Sequence, residues 1–386
     1  MPIEPLLPSL QLHLHRQTPL ADSFRTRQIA GQYGLTLAET LTECIVCDLP
    51  DLRRPWRIGL ITGPSGSGKS SVARQLFGES VATPADWPRD RAIIDSLGEL
   101  TTRQLARLLT AVGLGSIPAW LKPYHVLSTG QRFRCDLAHA FAKSVAEPGK
   151  MTSVAKDPPP IPTVVYDEFS STIDRTAARM VAATVAKAIR REHLCCRFVA
   201  VTCHDDVAVW LAPDWTLDMG TGQFARRSLR RPPISCEIYR YDNGAWRLFR
   251  HHHYLSGKLS PQARCYVALW NKRPVGFCAV LPALGHRGLW RITRLVVLPD
   301  FQGLGLGMRL AEAIAAGYQR QGLRMNISGA HPALIAHCRR SPCWRCTAVY
   351  KYGQRGSPAF EGTFRGSYGR PTVTFSYVGE CNPLTP

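Results

Sequence analysis

The chain has 386 residues, 45% hydrophobic and 20% charged, with a formal net charge of +20. This length suits two domains, with a third possible, and supplies apolar residues for two cores. No run of eighteen or more apolar residues exists, so no membrane-spanning helix is expected.

The charge is uneven: residues 233–386 hold 20 Lys+Arg against 6 Asp+Glu, and residues 1–232 hold 28 against 22. A basic excess in one domain points to a polyanionic partner, nucleic acid by default, the alternative being a basic surface with no specific partner. The N-terminal MPIEPLLPSLQLHLHRQ is proline-rich with no basic start, unlike a secretory signal. Thirteen cysteines lie without regular spacing and read as reduced thiols of a cytoplasmic protein.

In chain order, residues 1–23 read as a loose leader, and Phe24 to Gly59 as strands and turns. Ile58 to Thr62 (IGLIT) is a short buried strand, and Ser70 to Leu76 opens a helix. Thr102 to Val112 and Gly130 to Ser144 have helical spacing, and residues 148–162 are a proline-rich insertion. Val164 to Asp167 and Phe198 to Thr202 read as buried strands, and the basic stretch 226–234 as a linker between domains 24–225 and 235–386. Beyond it come strands at Glu237 to Tyr241, Cys265 to Trp270, Val275 to Leu281, Leu289 to Val297 and Arg324 to Ser328. Helices are expected at Met308 to Gln319 and Ala333 to Cys338, with further strands towards the C-terminus.

Residues 63–70, GPSGSGKS, form a complete P-loop between strand and helix. Its glycines let backbone N–H groups turn towards phosphates, Lys69 reaches the β/γ-phosphates, and Ser70 ligates Mg²⁺. Gly63, Ser65, Gly66, Gly68, Lys69, Ser70 and Ser71 are the expected ATP contacts. The strand TVVYDE ends in Asp167, placed to hold Mg²⁺, and Glu168, placed to polarise an attacking water.

Between these lies LSTGQ, residues 127–131. With the P-loop before it and the acidic strand end after it, residues 24–225 resemble ABC-type ATPases, whose signature is LSGGQ; Thr129 is the departure. The resemblance implies a homodimer in which Ser128, Gly130 and Gln131 cap the γ-phosphate bound by the opposite protomer. It further implies a D-loop at Ser171 to Asp174 and a switch histidine at His204. Gln104 is a poor Q-loop match, and Tyr33 or, less well, Trp56 would stack on adenine. The short stretch between P-loop and signature argues for a soluble, non-transport member.

Residues 296–307, VVLPDFQGLGLG, place Gln302, Gly303, Gly305 and Gly307 between a strand and a helix. A glycine turn at a helix N-terminus offers amides and a dipole to an anion. With the strand order, residues 235–355 resemble the GNAT acetyltransferases. That likeness implies an acyl-CoA, acetyl-CoA above all, with its pyrophosphate on the amides from Gly303 to Met308 and its pantetheine arm on the Leu295 to Val297 edge. The strand carries no glutamate base, and Tyr350 or Tyr352 stands where a tyrosine acid is expected. His253-Tyr254 resembles the His-Tyr segment of phage Mom-type DNA-modifying proteins, with Tyr254 a catalytic candidate. His337, Cys338, Cys343 and Cys346 match a zinc spacing only in part and read as fortuitous.

The expected architecture is therefore an α/β P-loop ABC ATPase domain followed by an α+β GNAT-like mixed sheet. The expected function is ATP-dependent modification of a nucleic-acid base. Two alternatives stay open: an acetyltransferase acting on a protein or small molecule, and a DNA-binding ATPase whose GNAT fold is not catalytic.

Overall fold

A computed structural model describes residues 11–19, 21–34, 36, 40–142, 161–226, 231–253, 258–352 and 369–379. In chain order these form β1 (Gln11–Pro19), α1 (Phe24–Tyr33), β2 (Thr40–Asp48), β3 (Ile58–Thr62), α2 (Lys69–Phe77), α3 (Thr102–Ala111), α4 (Ile117–Trp120) and α5 (Thr129–Phe141). Then come β4 (Thr163–Tyr166), α6 (Arg175–Arg190), β5 (Arg197–Thr202), α7 (Ala208–Leu211), β6 (Trp215–Asp218) and β7 (Gln223–Ala225). The C-terminal part adds β8 (Glu237–Tyr241), α8 (Trp246–Phe249), β9 (Arg264–Trp270), β10 (Arg273–Pro282), β11 (Leu289–Val297), α9 (Leu306–Gln319), β12 (Arg324–Gly329), α10 (Pro332–Arg340), β13 (Trp344–Tyr350) and β14 (Thr372–Tyr377).

Contacts divide the chain into two compact units. The first comprises Met1–Thr83, Pro159–Ser171 and Cys196–Arg231; the second Pro84–Pro158, Thr172–Cys195 and Pro232–Pro386. The span 24–225 expected as one domain is thus shared between both, and its helices α3 to α6 belong with the C-terminal sheet.

In the first unit, a five-stranded sheet has the order β4-β5-β3-β6-β7. Its three pairings from β4 to β6 are parallel, and β7 runs antiparallel to β6. The apolar strand β3 is buried along its whole length, as a central parallel strand covered on both faces must be. Gly59 is required there: a Cβ would stand 2.1 Å from the Trp215 ring. Two expectations are corrected here. The leader is not loose throughout, because β1 pairs antiparallel with β2 from Gln11↔Asp48 to Pro19↔Thr40. Residues from Phe24 are not strand or turn but α1, capped at Ser23 by a reciprocal bond with Thr26 and ended by Gly34 at φ 64°.

In the second unit, a seven-stranded sheet has the order β13-β14-β12-β11-β10-β9-β8, and only β11 with β12 is parallel. That parallel pairing covers Leu289–Ile292 against Arg324–Ile327, so Arg294 to Val297 run past β12 while remaining paired to β10. Trp246, Phe249, Phe277 and Val296 build the core between α8 and the sheet. Against this fold pack α3, which meets α10, and α6, which meets the turn Pro299–Phe301. The alanine-rich α6 begins at Asp174, whose Oδ1 accepts from the Thr176 and Ala177 amides.

Residues 148–160 of the insertion and 227–230 of the linker fall outside the described residues, as does Tyr254. No helix among the described residues is long and apolar enough to cross a membrane.

Candidate functional site

The strands β3, β4 and β5 end side by side: Thr62 is level with Thr202, and Tyr166 with Ala200. The P-loop follows β3, Asp167 and Glu168 follow β4, and His204 follows β5, so these groups share the carboxyl edge of one parallel sheet. Ligands of open α/β sheets bind at that edge.

A cleft of about 480 Å³ opens there, lined by Ser65, Gly66, Gly68, Lys69, Ser70, Ser71 and Glu168. Gly66 and Gly68 take φ of 81° and 84°, which turns the loop amides inward. The Lys69 ammonium, nearly buried, donates to Pro64 O at 2.6 Å. Ser67 Oγ is buried with no protein partner, which suits a loop built around a ligand's oxygens. Ser70 and Asp167 are oxygen donors of the hard kind Mg²⁺ requires. Glu168 holds φ 55°, a strained value for a non-glycine residue, and its Oε2 accepts from Ser171 Oγ at 2.6 Å. His204 is half-buried, its amide bonded to Thr202 Oγ1. Arg16 of β1 and Ile45 and Val46 of β2 line the cleft as well. Those residues were missed in the sequence, although the alternation of Leu12 and Leu14 in QLHLHRQTP was a strand signal.

Trp56 is not available to adenine: it is buried against Trp215 and Phe77 in the core. Tyr33 is exposed on α1. Gln104 closes a capping box with Thr101 at the start of α3, a structural use of its side chain.

The signature begins helix α5. Ser128 is its N-cap, with the Gln131 amide donating to Ser128 Oγ and the Ser128 amide to Gln131 Oε1. Exposed Thr129 and half-buried Gly130 are its first turn. The lead-in is held by Asp136, which accepts from Trp87 Nε1 at 2.7 Å and Tyr124 OH at 2.8 Å while the two rings stack.

The glycine turn of the second unit follows β11. Gly303 and Gly305 have φ of 84° and 86°, and Gly305 is the N-cap of α9. The first amides of that helix have no intrahelical acceptor and are open to an anion. Gly307 sits close under β11, where a Cβ would be 3.2 Å from Val297 Cγ2. The Leu298 amide donates to Val275 O across to β10, so the Val297 carbonyl faces the other edge, where Gln302 Nε2 occupies it at 3.0 Å. Gln302 Oε1 accepts from the Gly115 amide at 2.8 Å. The carbonyls of this turn meet α6: Lys187 Nζ donates to Gly303 O at 3.1 Å, and the Thr184 hydroxyl, which donates to Met180 O at 2.8 Å, also lies 3.3 Å from Gln302 O. A Cβ on Gly303 would lie 2.3 Å from Thr184 Cγ2. The turn is therefore held by its carbonyls from behind, an arrangement that leaves its amides for the ligand.

Tyr350 ends β13 opposite Thr372, at the same end of the sheet as this turn; Tyr352, two residues on, is exposed. His253 stacks edge-on to Trp246, and its pKa is lowered to about 4 by burial and then by Arg294 and Arg370, so its imidazole is neutral at physiological pH. His337 bonds to Glu312 at 2.7 Å, with Cys338 buried and Cys346 exposed. Among the described residues no group of three or more His, Cys, Asp or Glu is placed to hold a metal ion.

The acetyltransferase (GNAT) domain family model matches residues 261–337. No curated protein matches the chain. Solved structures with partial likeness include an IAA acetyltransferase from Bacillus cereus (15% identity, 37% of this chain and 99% of that one, TM-score 0.29). The ribosomal-protein-S18-alanine N-acetyltransferase of Escherichia coli is similar to the same extent (13%, 39% and 99%, TM-score 0.29). A bacterial ABC transporter cassette solved as a dimer is also similar in part (17%, 49% and 93%, TM-score 0.34).

Proposed function

We propose that the chain binds and hydrolyses ATP and uses an acyl-CoA, acetyl-CoA foremost, to modify a base of nucleic acid. The observation that carries this reading is the coexistence of two phosphate-binding turns. One is a P-loop at a strand edge shared with Asp167, Glu168 and His204; the other is the Gly303–Gly305 turn at the N-terminus of α9.

In the first, Lys69 and the loop amides hold the phosphates, Ser70 and Asp167 take Mg²⁺, and Glu168 orients water. Two copies close on two nucleotides, each offering Ser128, Gly130 and Gln131 to the other. In the second, the amides from Gly303 to Met308 take the pyrophosphate, beside the stretch of β11 that runs past β12. Acyl-CoA supplies an activated acyl group when bound; Tyr350, Tyr352 or Tyr254 returns a proton to the departing thiolate. The net +14 of residues 233–386 favours a polyanionic acceptor, DNA first. The His253-Tyr254 pair favours the adenine-modifying branch.

Mass spectrometry of nucleosides from cells expressing the wild type, Gly305→Asp and Tyr254→Phe tests it. A new modified nucleoside that disappears in the variants supports the reading; no new nucleoside in the wild type contradicts it. A DNA-binding role in which the GNAT-like fold is not catalytic is favoured by one observation, the absence of a carboxylate along β11, where a general base would stand.

A further inference from the structure

Arg134 lies one turn into α5, the helix that Ser128 caps, and its side chain is 2% exposed. Its Nη1 donates to Gly130 O at 2.9 Å, inside the signature. Its Nη2 reaches Asp300 Oδ1 at 3.4 Å, in the turn that leads into the Gly303 loop. Burial works against its charge, which Asp300 and then Asp174, the N-cap of α6, favour. From α6, Lys187 then takes the Gly303 carbonyl, while the Thr184 hydroxyl shares its proton between Met180 O at 2.8 Å and Gln302 O at 3.3 Å. One buried guanidinium thus touches the signature and the turn that leads into the acyl-CoA loop, and the helix after the D-loop supports that same loop.

We propose that Arg134, Thr184 and Lys187 are positioning residues for the acyl-CoA loop, and that through them engagement of the signature by nucleotide raises acyl-CoA affinity. The inference rests on the ATP and acyl-CoA sites described under the proposed function. A buried charge held between partners has few alternative positions, because leaving any of them strands it in low dielectric. Fixing α5 at Ser128 and Gly130 therefore fixes Asp300 and the turn behind it, and an ordered turn binds its anion with less entropy left to lose. Coupling of this kind is reciprocal, so acyl-CoA must favour the nucleotide-engaged state by the same factor.

The test titrates the full chain with coenzyme A by calorimetry, with and without magnesium and a non-hydrolysable ATP analogue. The wild type should bind coenzyme A about fivefold or more tightly when the analogue is present. Asp300→Asn, at a half-exposed position, should bring that ratio towards one while each ligand alone still binds within about twofold of the wild type, the scale of a weakened partly exposed ion pair. Thr184→Val and Lys187→Met should weaken coenzyme A binding, and Thr184→Ser and Lys187→Arg should restore it. Equal coenzyme A affinity with and without bound analogue overturns the proposal, as does full coupling in Asp300→Asn. Failure of the wild type to bind coenzyme A or the analogue at all overturns the underlying reading of the sites, and the coupling with it.

Discussion

Gln302 joins two segments 187 residues apart: its Oε1 accepts from the Gly115 amide at 2.8 Å, while its Nε2 donates to Val297 O. His331 holds the same segment from the other side, its Nε2 donating to Gly115 O at 3.0 Å because Nδ1 accepts from the Ala333 amide. Gln302→Leu keeps the volume but leaves the Gly115 N–H and the Val297 carbonyl unpaired. The expected cost is about 2 kcal/mol or more, and chemical denaturation would register it as a lower midpoint at unchanged slope.

Gly303→Ala should destabilise further. The position has φ 84°, and the added methyl meets Thr184 Cγ2. A loss of about 2–4 kcal/mol combines backbone strain with overpacking. Thr184→Ser in the same chain removes the opposing methyl, so a double-mutant cycle should return a favourable interaction energy of about 1 kcal/mol or more.

Phosphate release from ATP separates the roles of Lys69 and Glu168. Lys69→Ala should lose nucleotide binding and turnover together. Glu168→Gln should retain binding and slow turnover by about 10²–10⁴-fold, the range for a lost general base. Equal turnover in Glu168→Gln and wild type would remove Glu168 from the reaction.

The parts legible in the sequence were those set by local rules. IGLIT, the P-loop, the helix capped at Ser128, and the strand–turn–helix from Leu289 to Gln319 were readable because period, capping and glycine placement act within a few residues. The strand at Gln11–Pro19 went unread because its partner lies beyond an intervening helix. The placement of α3 and α6 against the C-terminal fold was not readable either. It depends on pairings such as Thr184 with Gln302 and Arg134 with Asp300, between residues more than one hundred positions apart. Gly303 illustrates the limit: its motif suggested phosphate binding, while the methyl-sized gap it leaves for Thr184 needs the fold to be seen.

Stability should fall on acidification. Burial lowers the pKa of His193 to about 4, aided by Arg107, Arg340 and Lys187, and lowers His253 likewise, aided by Arg294 and Arg370. Both are neutral in the folded chain, whereas an unfolded histidine titrates near about 6.5. The unfolded state therefore takes up protons first. Stability is fully present above about pH 6.5 and is lost progressively as pH drops towards about 4. Denaturation midpoints should be level from about pH 7 to 8 and decline below about 6.5, and His193→Gln should flatten part of the decline.

The proposed function requires both an ATP site and an acyl-CoA site on one chain. Equilibrium titration of the purified full chain with coenzyme A, and separately with magnesium and ATP in the Glu168→Gln background, tests it most directly. Saturable binding of each ligand is predicted, with coenzyme A binding abolished by Gly305→Asp and ATP binding by Lys69→Ala. Absence of either ligand's binding, or binding indifferent to both substitutions, would contradict the account.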